Sequence, residues 1–129
     1  MSPTDRRYSR EHEWVLVQEG DVALVGITHF AQDQLGDIVY FDLPKPGTKL
    51  QQFQKLGEVE SVKAVSDIYA PVSGEVVEVN GEVAQRPELV NQDAFGRGWL
   101  LKVRLADPKE LDKLMSAQEY DAYVEREGR

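Results

Sequence analysis

A chain of 129 residues is long enough to form one domain with an adequate core, and 41% hydrophobic with 29% charged residues is ordinary for a globular protein. The absence of cysteine excludes disulfides, thiolate nucleophiles and cysteine-ligated metals, so any redox chemistry has to come from an attached group. A formal net charge of −8 argues against sequence-independent binding of nucleic acid; it suits a protein that meets partners through basic docking surfaces, and equally one whose acidity only aids solubility.

No apolar run approaches the length of a membrane span. Residues 1–8 lack the apolar centre of a secretory signal and run straight into the fold, so the expected location is cytoplasmic. Residues 11–17 form the first expected strand, and Gly20-Asp21 turns the chain into a second over 21–27. Apolar residues occupy adjacent positions in both, which points to strands covered on both faces. Thr28 is placed to cap a short helix over 30–35, with Gly36 as its stop. A strand over 37–43 then ends at Pro44-Lys45-Pro46-Gly47, which cannot continue a sheet ladder.

Two runs that read as strands, 56–62 and 64–70, flank a lone lysine, Lys63, and Pro71-Val72-Ser73-Gly74 turns the chain into a further strand ending near Val79. Asn80-Gly81 is a strong two-residue hairpin signal. Residues 84–98 are polar and irregular, with a possible short helix over 87–91. Trp99, Leu101, Val103 and Leu105 alternate with Leu100, Lys102 and Arg104, the pattern of a half-buried strand. Asp107-Pro108-Lys109-Glu110 supplies a cap, a first-turn proline and a capping-box glutamate. Leu111, Leu114 and Met115 share a helical face, and Ser116 with Glu119 repeats the capping pattern before Tyr120, Tyr123 and Val124. The expected architecture is mainly β with a short inserted helix and C-terminal helices, one domain over 1–129 with a core over about 10–106 and the helices over about 108–125.

A lysine between two β-runs is ordinarily a solvated surface charge. Here it sits in Glu60-Ser61-Val62-Lys63-Ala64-Val65-Ser66-Asp67, followed by the Pro-x-x-Gly turn and a valine-rich strand. With Gly26-Ile27-Thr28, Ala31-Gln32, Leu35-Gly36-Asp37, Leu43-Pro44 and Gly98-Trp99, this string resembles the lipoyl-carrying H protein of the glycine cleavage system over nearly the whole chain. The resemblance implies a barrel-sandwich hybrid, two sheets packed face to face, with lipoate bound covalently to Lys63. It implies a non-catalytic carrier, expected as a monomer. The arm takes an aminomethyl group from a pyridoxal-phosphate glycine decarboxylase (P protein) to a tetrahydrofolate-dependent aminomethyltransferase (T protein). Dihydrolipoyl dehydrogenase (L protein) then reoxidises it, and a lipoyl ligase or transferase attaches it in the first place. By the same resemblance Glu13 and Asp67 hold the amine of the loaded arm; both can equally be exposed strand-end carboxylates. Ser61, Ser66, Glu58 and Glu60 are either recognition features for the ligase or solvent-facing residues. Trp14 reads as core.

Three rival readings stand beside this one. A biotin carrier is nearest by fold, but biotin carriers usually have methionines flanking the lysine, where this chain has Val62 and Ala64. An unmodified interaction module and a relay that passes lipoate to other proteins both remain open. His29 and Asp33, four apart on the inserted helix, with His12 from a distant strand, make too sparse a set for metal ligation. There is no nucleophile elbow, phosphate loop or dinucleotide fingerprint to suggest an enzyme.

Overall fold

The structure is a computed structural model and describes residues 1–127. A six-stranded antiparallel sheet packs against a three-stranded one. The larger sheet has β1 (Arg7–Tyr8), β2 (Glu13–Val17), β3 (Val22–Ile27), β9 (Leu101–Leu105), β8 (Gly74–Val79) and β5 (Lys49–Leu50), in that spatial order. The smaller has β4 (Ile38–Asp42), β6 (Lys55–Ser61) and β7 (Val65–Tyr69), with β6 in the middle. The expected β-sandwich is therefore present.

Its interior is filled from both sides. Val15, Val25, Val76 and Val103 come from the larger sheet and Ile38, Phe41, Val59 and Ile68 from the smaller. A second apolar cluster lies on the other face of the larger sheet. There Trp14, Tyr8, Ala117 and Tyr120 are buried, with Leu16, Leu24 and Met115 packed against them. This explains the adjacent apolar residues of β2 and β3: Val15 and Val25 face the sandwich, while Trp14 and Leu24 face the C-terminal helix. Trp14 is fully buried, and its indole N–H donates to the carbonyls of Ile27 (3.0 Å) and Ala94 (3.1 Å). Gly26 lies directly opposite Trp14, and a Cβ there would stand 2.6 Å from the indole ring.

Helix α1 (His29–Leu35) begins as its sequence requires, with the Thr28 hydroxyl accepting from Ala31 N at 3.2 Å. It stops at Gly36, whose φ of 76° is open to glycine at little cost. Five expectations need correction. Asn80-Gly81 is not a hairpin turn. Asn80 is buried, caps α2 (Gly81–Gln85) through its side-chain oxygen, and donates to the carbonyls of Arg97 (2.9 Å) and Trp99 (2.7 Å). With α3 (Leu89–Gln92) this gives order to a stretch that reads as irregular. Leu100 is buried along with Leu101, so strict alternation fails where β9 starts.

The first C-terminal helix, Pro108–Lys113, is a 3-10 helix. Leu114 leaves it in extended conformation because Met115 pairs with Tyr8 in a β-bridge (N–O 2.7 and 2.9 Å). Leu114 and Met115 consequently enter different apolar clusters rather than one helical face. Glu110 makes no capping box; it accepts from the Ser73 amide (2.7 Å) and hydroxyl (2.8 Å), pinning the start of β8. The Ser116–Glu119 box does form, at 2.8 and 3.2 Å, and starts α4 (Ala117–Glu127).

Candidate functional site

Lys63 is exposed at the tip of the β6–β7 hairpin. The turn lacks the Asn-Gly pair such tips often use, and neither Val62 nor Lys63 has positive φ. Ser61 supplies the turn chemistry instead. Its buried hydroxyl accepts from the amides of Lys63 (3.3 Å) and Ala64 (3.2 Å), while its own N–H donates to Ala64 O at 2.8 Å. Val62 N donates to Asp37 O at 3.0 Å, which ties the tip to the start of β4. The lysine stem lies beside Gly36, with Cε 3.5 Å and Nζ 4.0 Å from where a Cβ on that glycine would sit.

Next to Gly36 a cleft of about 340 Å³ opens between α1 and the free edge of β7. Phe30, Ala31 and Leu35 form its α1 wall, Ile27, Val59 and Ile68 its apolar floor, and Glu13, Ser66 and Asp67 supply polar groups. Glu13 and Asp67, distant in sequence, thus border one cavity, which Leu35 also lines one residue before the Gly36 that meets the Lys63 stem.

The two carboxylates differ in environment. Glu13 is 2% exposed, so it is not an exposed strand-end carboxylate. Ser9 Oγ donates to Oε1 at 2.5 Å and Tyr69 N donates to Oε2 at 3.1 Å. Burial raises its pKa from 4.5 to about 8, against the lowering effect of these two hydrogen bonds. Asp67 is exposed and already engaged, with Lys55 Nζ at 3.2 Å and a long contact from the Tyr69 hydroxyl at 3.4 Å. Tyr69 therefore touches both carboxylates. Tyr69 and Ser9 carried no signal in the sequence, because their roles depend on which strand edges meet.

His12, between the turn and Glu13, adopts a φ of 73°, a conformation a non-glycine residue holds only when its surroundings fix it. Here Thr28 N donates to its carbonyl (3.0 Å), and its Nδ1 hydrogen-bonds the Tyr120 hydroxyl (2.8 Å), which also bonds Thr28 Oγ1 (2.7 Å). Burial lowers the His12 pKa. Among the described residues no three His, Asp or Glu groups come together as metal ligands. A larger groove of about 580 Å³, around Tyr8, Phe53 and Lys113, contains none of Lys63, Glu13 and Asp67. No helix among the described residues is long and apolar enough to cross a membrane.

Comparison with known proteins agrees with this architecture. The family model for glycine cleavage H-protein matches residues 6–127. The glycine cleavage system H protein of Symbiobacterium thermophilum is 56% identical over 122 residues, 95% of this chain and 94% of that protein. The mitochondrial one of Drosophila melanogaster is 50% identical, over 96% of this chain and 75% of that protein. The crystal structure of a glycine cleavage system H protein from Mycobacterium marinum superposes with a TM-score of 0.86 at 36% identity, covering 99% of this chain and all of that one. With one family matched along nearly its whole length, in sequence and in fold, the chain belongs to the glycine cleavage H-proteins.

Proposed function

We propose that this chain is the lipoyl carrier of a glycine cleavage system, with lipoate in amide linkage to Lys63. The observation that supports the reading is spatial: an exposed hairpin lysine lies against Gly36, next in sequence to Leu35, and Leu35 lines an apolar-walled cleft that also takes in the buried carboxylate Glu13. Such a cavity fits a linear, largely apolar arm with a cationic end. Lys63 would hold the group, which would supply a redox-active disulfide for carrying the aminomethyl unit left by glycine decarboxylation to tetrahydrofolate. The partners are accordingly the decarboxylase, the aminomethyltransferase, the dihydrolipoyl dehydrogenase and a lipoyl ligase.

The chain's own part is attachment, shelter and charge. For attachment, a neutral Lys63 Nζ attacks the acyl carbon of an activated lipoyl donor such as an acyl adenylate. The C–N bond forms, the bond to phosphate breaks, the nucleotide leaves with the electron pair, and the amine proton passes to solvent. Because a free lysine has a pKa of about 10.4, the attaching enzyme must first take one proton from the ammonium to expose the neutral amine, a proton separate from the one lost to solvent as the amide forms. Leu35, Phe30 and Ile68 offer the arm an apolar wall to lie against. Glu13, largely protonated at neutral pH, is driven to ionise when an ammonium arrives beside it, forming a charge-assisted pair and releasing a proton. Asp67 meets the same ammonium only by sharing or giving up Lys55.

The test is intact mass and peptide mapping after incubation with lipoate, ATP and a lipoyl ligase, beside a Lys63→Arg control. One lipoyl increment on the Lys63 peptide, missing from the control, is the expected result. No increment with a ligase that modifies another acceptor would overturn the reading.

A further inference from the structure

Strand register on the smaller sheet places residues in rows. Inner-facing Phe41, Val59 and Ser66 form one row, and the rows on either side face solvent. Nearest the hairpin tip, Tyr40, Glu60 and Val65 stand side by side. Behind them come three carboxylates, Asp42, Glu58 and Asp67, one on each strand. Lys55 bridges Glu58 (2.7 Å) and Asp67 (3.2 Å), leaving the row net negative.

The β4 strand is irregular between Ile38 and Tyr40, and the extra residue there leaves both Val39 and Tyr40 exposed. Val39, Tyr40, Val62 and Val65 are each 47–68% exposed and all belong to the end of the sheet that carries Lys63. An isolated exposed valine is unremarked on most surfaces; four large apolar groups at one end of a sheet are a patch with a use.

We propose that this outer face, an apolar lip around Lys63 backed by a row of carboxylates, is the docking surface for the enzyme that acylates the lysine. The proposal rests on the lipoyl reading above. The choice of occupant follows from reach. An enzyme that acylates Lys63 must close on the bare amine, whose only tether is one lysine side chain. Glu60 lies three residues from Lys63, at most about 10 Å away even for a fully extended chain, so its row stands within the footprint of an enzyme that closes on the amine. Enzymes that act on the far end of a loaded arm are held off by the length of that arm and need not touch these rows. The matching surface is apolar around the mouth of its lysine channel and cationic beyond it. Tyr40 is the anchor, since a partly exposed tyrosine can be desolvated while its hydroxyl keeps a polar partner. The carboxylates speed encounter and fix orientation.

The experiment measures initial rates of lipoate transfer by a purified lipoyl ligase with ATP, as carrier concentration and NaCl are varied. Tyr40→Ser is expected to raise KM about fivefold or more with kcat within about twofold, the behaviour of a lost contact anchor. An Asp42→Asn, Glu58→Gln double variant is expected to raise KM at low salt and flatten its salt dependence. Val17→Ser, which truncates an exposed valine on the other sheet, serves as control, and thermal unfolding checks that each variant is folded. Acylation of Lys63 with unchanged KM in both sheet variants would overturn the docking surface alone. Failure of wild type to be acylated would overturn the lipoyl reading and the docking surface with it.

Discussion

Glu13 couples the interior of the cleft to stability, and the coupling has a definite sign. A carboxyl whose pKa is 4.5 when unfolded and about 8 when folded stays protonated in the native state while the unfolded chain loses its proton. Below about pH 4.5 both states hold the proton and the group contributes no pH dependence. From 4.5 to about 8 the native state binds more protons, so stability falls as pH rises, and above 8 it levels off. The full displacement corresponds to about 5 kcal/mol at about 1.4 kcal/mol per pH unit, of which about 3 kcal/mol is reached by pH 7. Glu13→Gln keeps shape and neutrality, and its amide oxygen can still accept from Tyr69 N. Urea unfolding of both proteins without lipoate, followed by tryptophan fluorescence from pH 4.5 to 9, gives the difference curve in which all other titrating groups cancel. The variant is expected to gain on wild type steadily across that window and to hold its lead above it. Parallel curves, or a wild type that gains on the variant with rising pH, would refute the argument that burial holds the proton on Glu13.

Three other substitutions probe the supports of the site. Gly26→Ala presses a methyl onto the buried Trp14 ring and is expected to cost about 1–3 kcal/mol, read as a lower Tm by calorimetry; an unchanged Tm would mean that the indole can shift. Ser61→Ala removes the acceptor for the Lys63 and Ala64 amides, and hydrogen exchange at those two amides should speed up while β2 and β3 keep their protection. Tyr120→Phe strips one hydroxyl from both His12 and Thr28 and should cost about 1–3 kcal/mol in urea unfolding, with a changed His12 ring resonance in NMR.

Much of the fold was legible because the pattern and the local chemistry agreed. Thr28, Gly36 and the Ser116–Glu119 box delivered both ends of α1 and the start of α4 where the residues said they would. The doubled apolar positions of β2 and β3 foretold cover on both faces. Errors arose where a residue's partner is remote. Asn80-Gly81 reads as a turn only if Asn80 is exposed, and the carbonyls of Arg97 and Trp99 draw it inside. Glu110 reads as a cap until Ser73 comes within reach. β1 is a pair of residues, Arg7 and Tyr8, too short to carry a period and recognisable only against β2. At the site, the lysine and its hairpin were visible as a string. The buried state of Glu13 was not, because it depends on Ser9 and on the edge of β7, which meet it only in the folded chain.

The pairing of Tyr8 with Met115, reinforced by Ser2 and Asp121 at a separation of 119 residues, also makes β1 and α4 depend on one another. The sandwich needs nothing beyond Leu114, yet the cluster over Trp14 waits for Ala117 and Tyr120. Helix α4 is thus the cover of a second interior built on the back of the larger sheet. Loosening it would bare the outer faces of β2 and β3 while the space between the sheets stays filled, so Trp14 rather than the sandwich core would report its release.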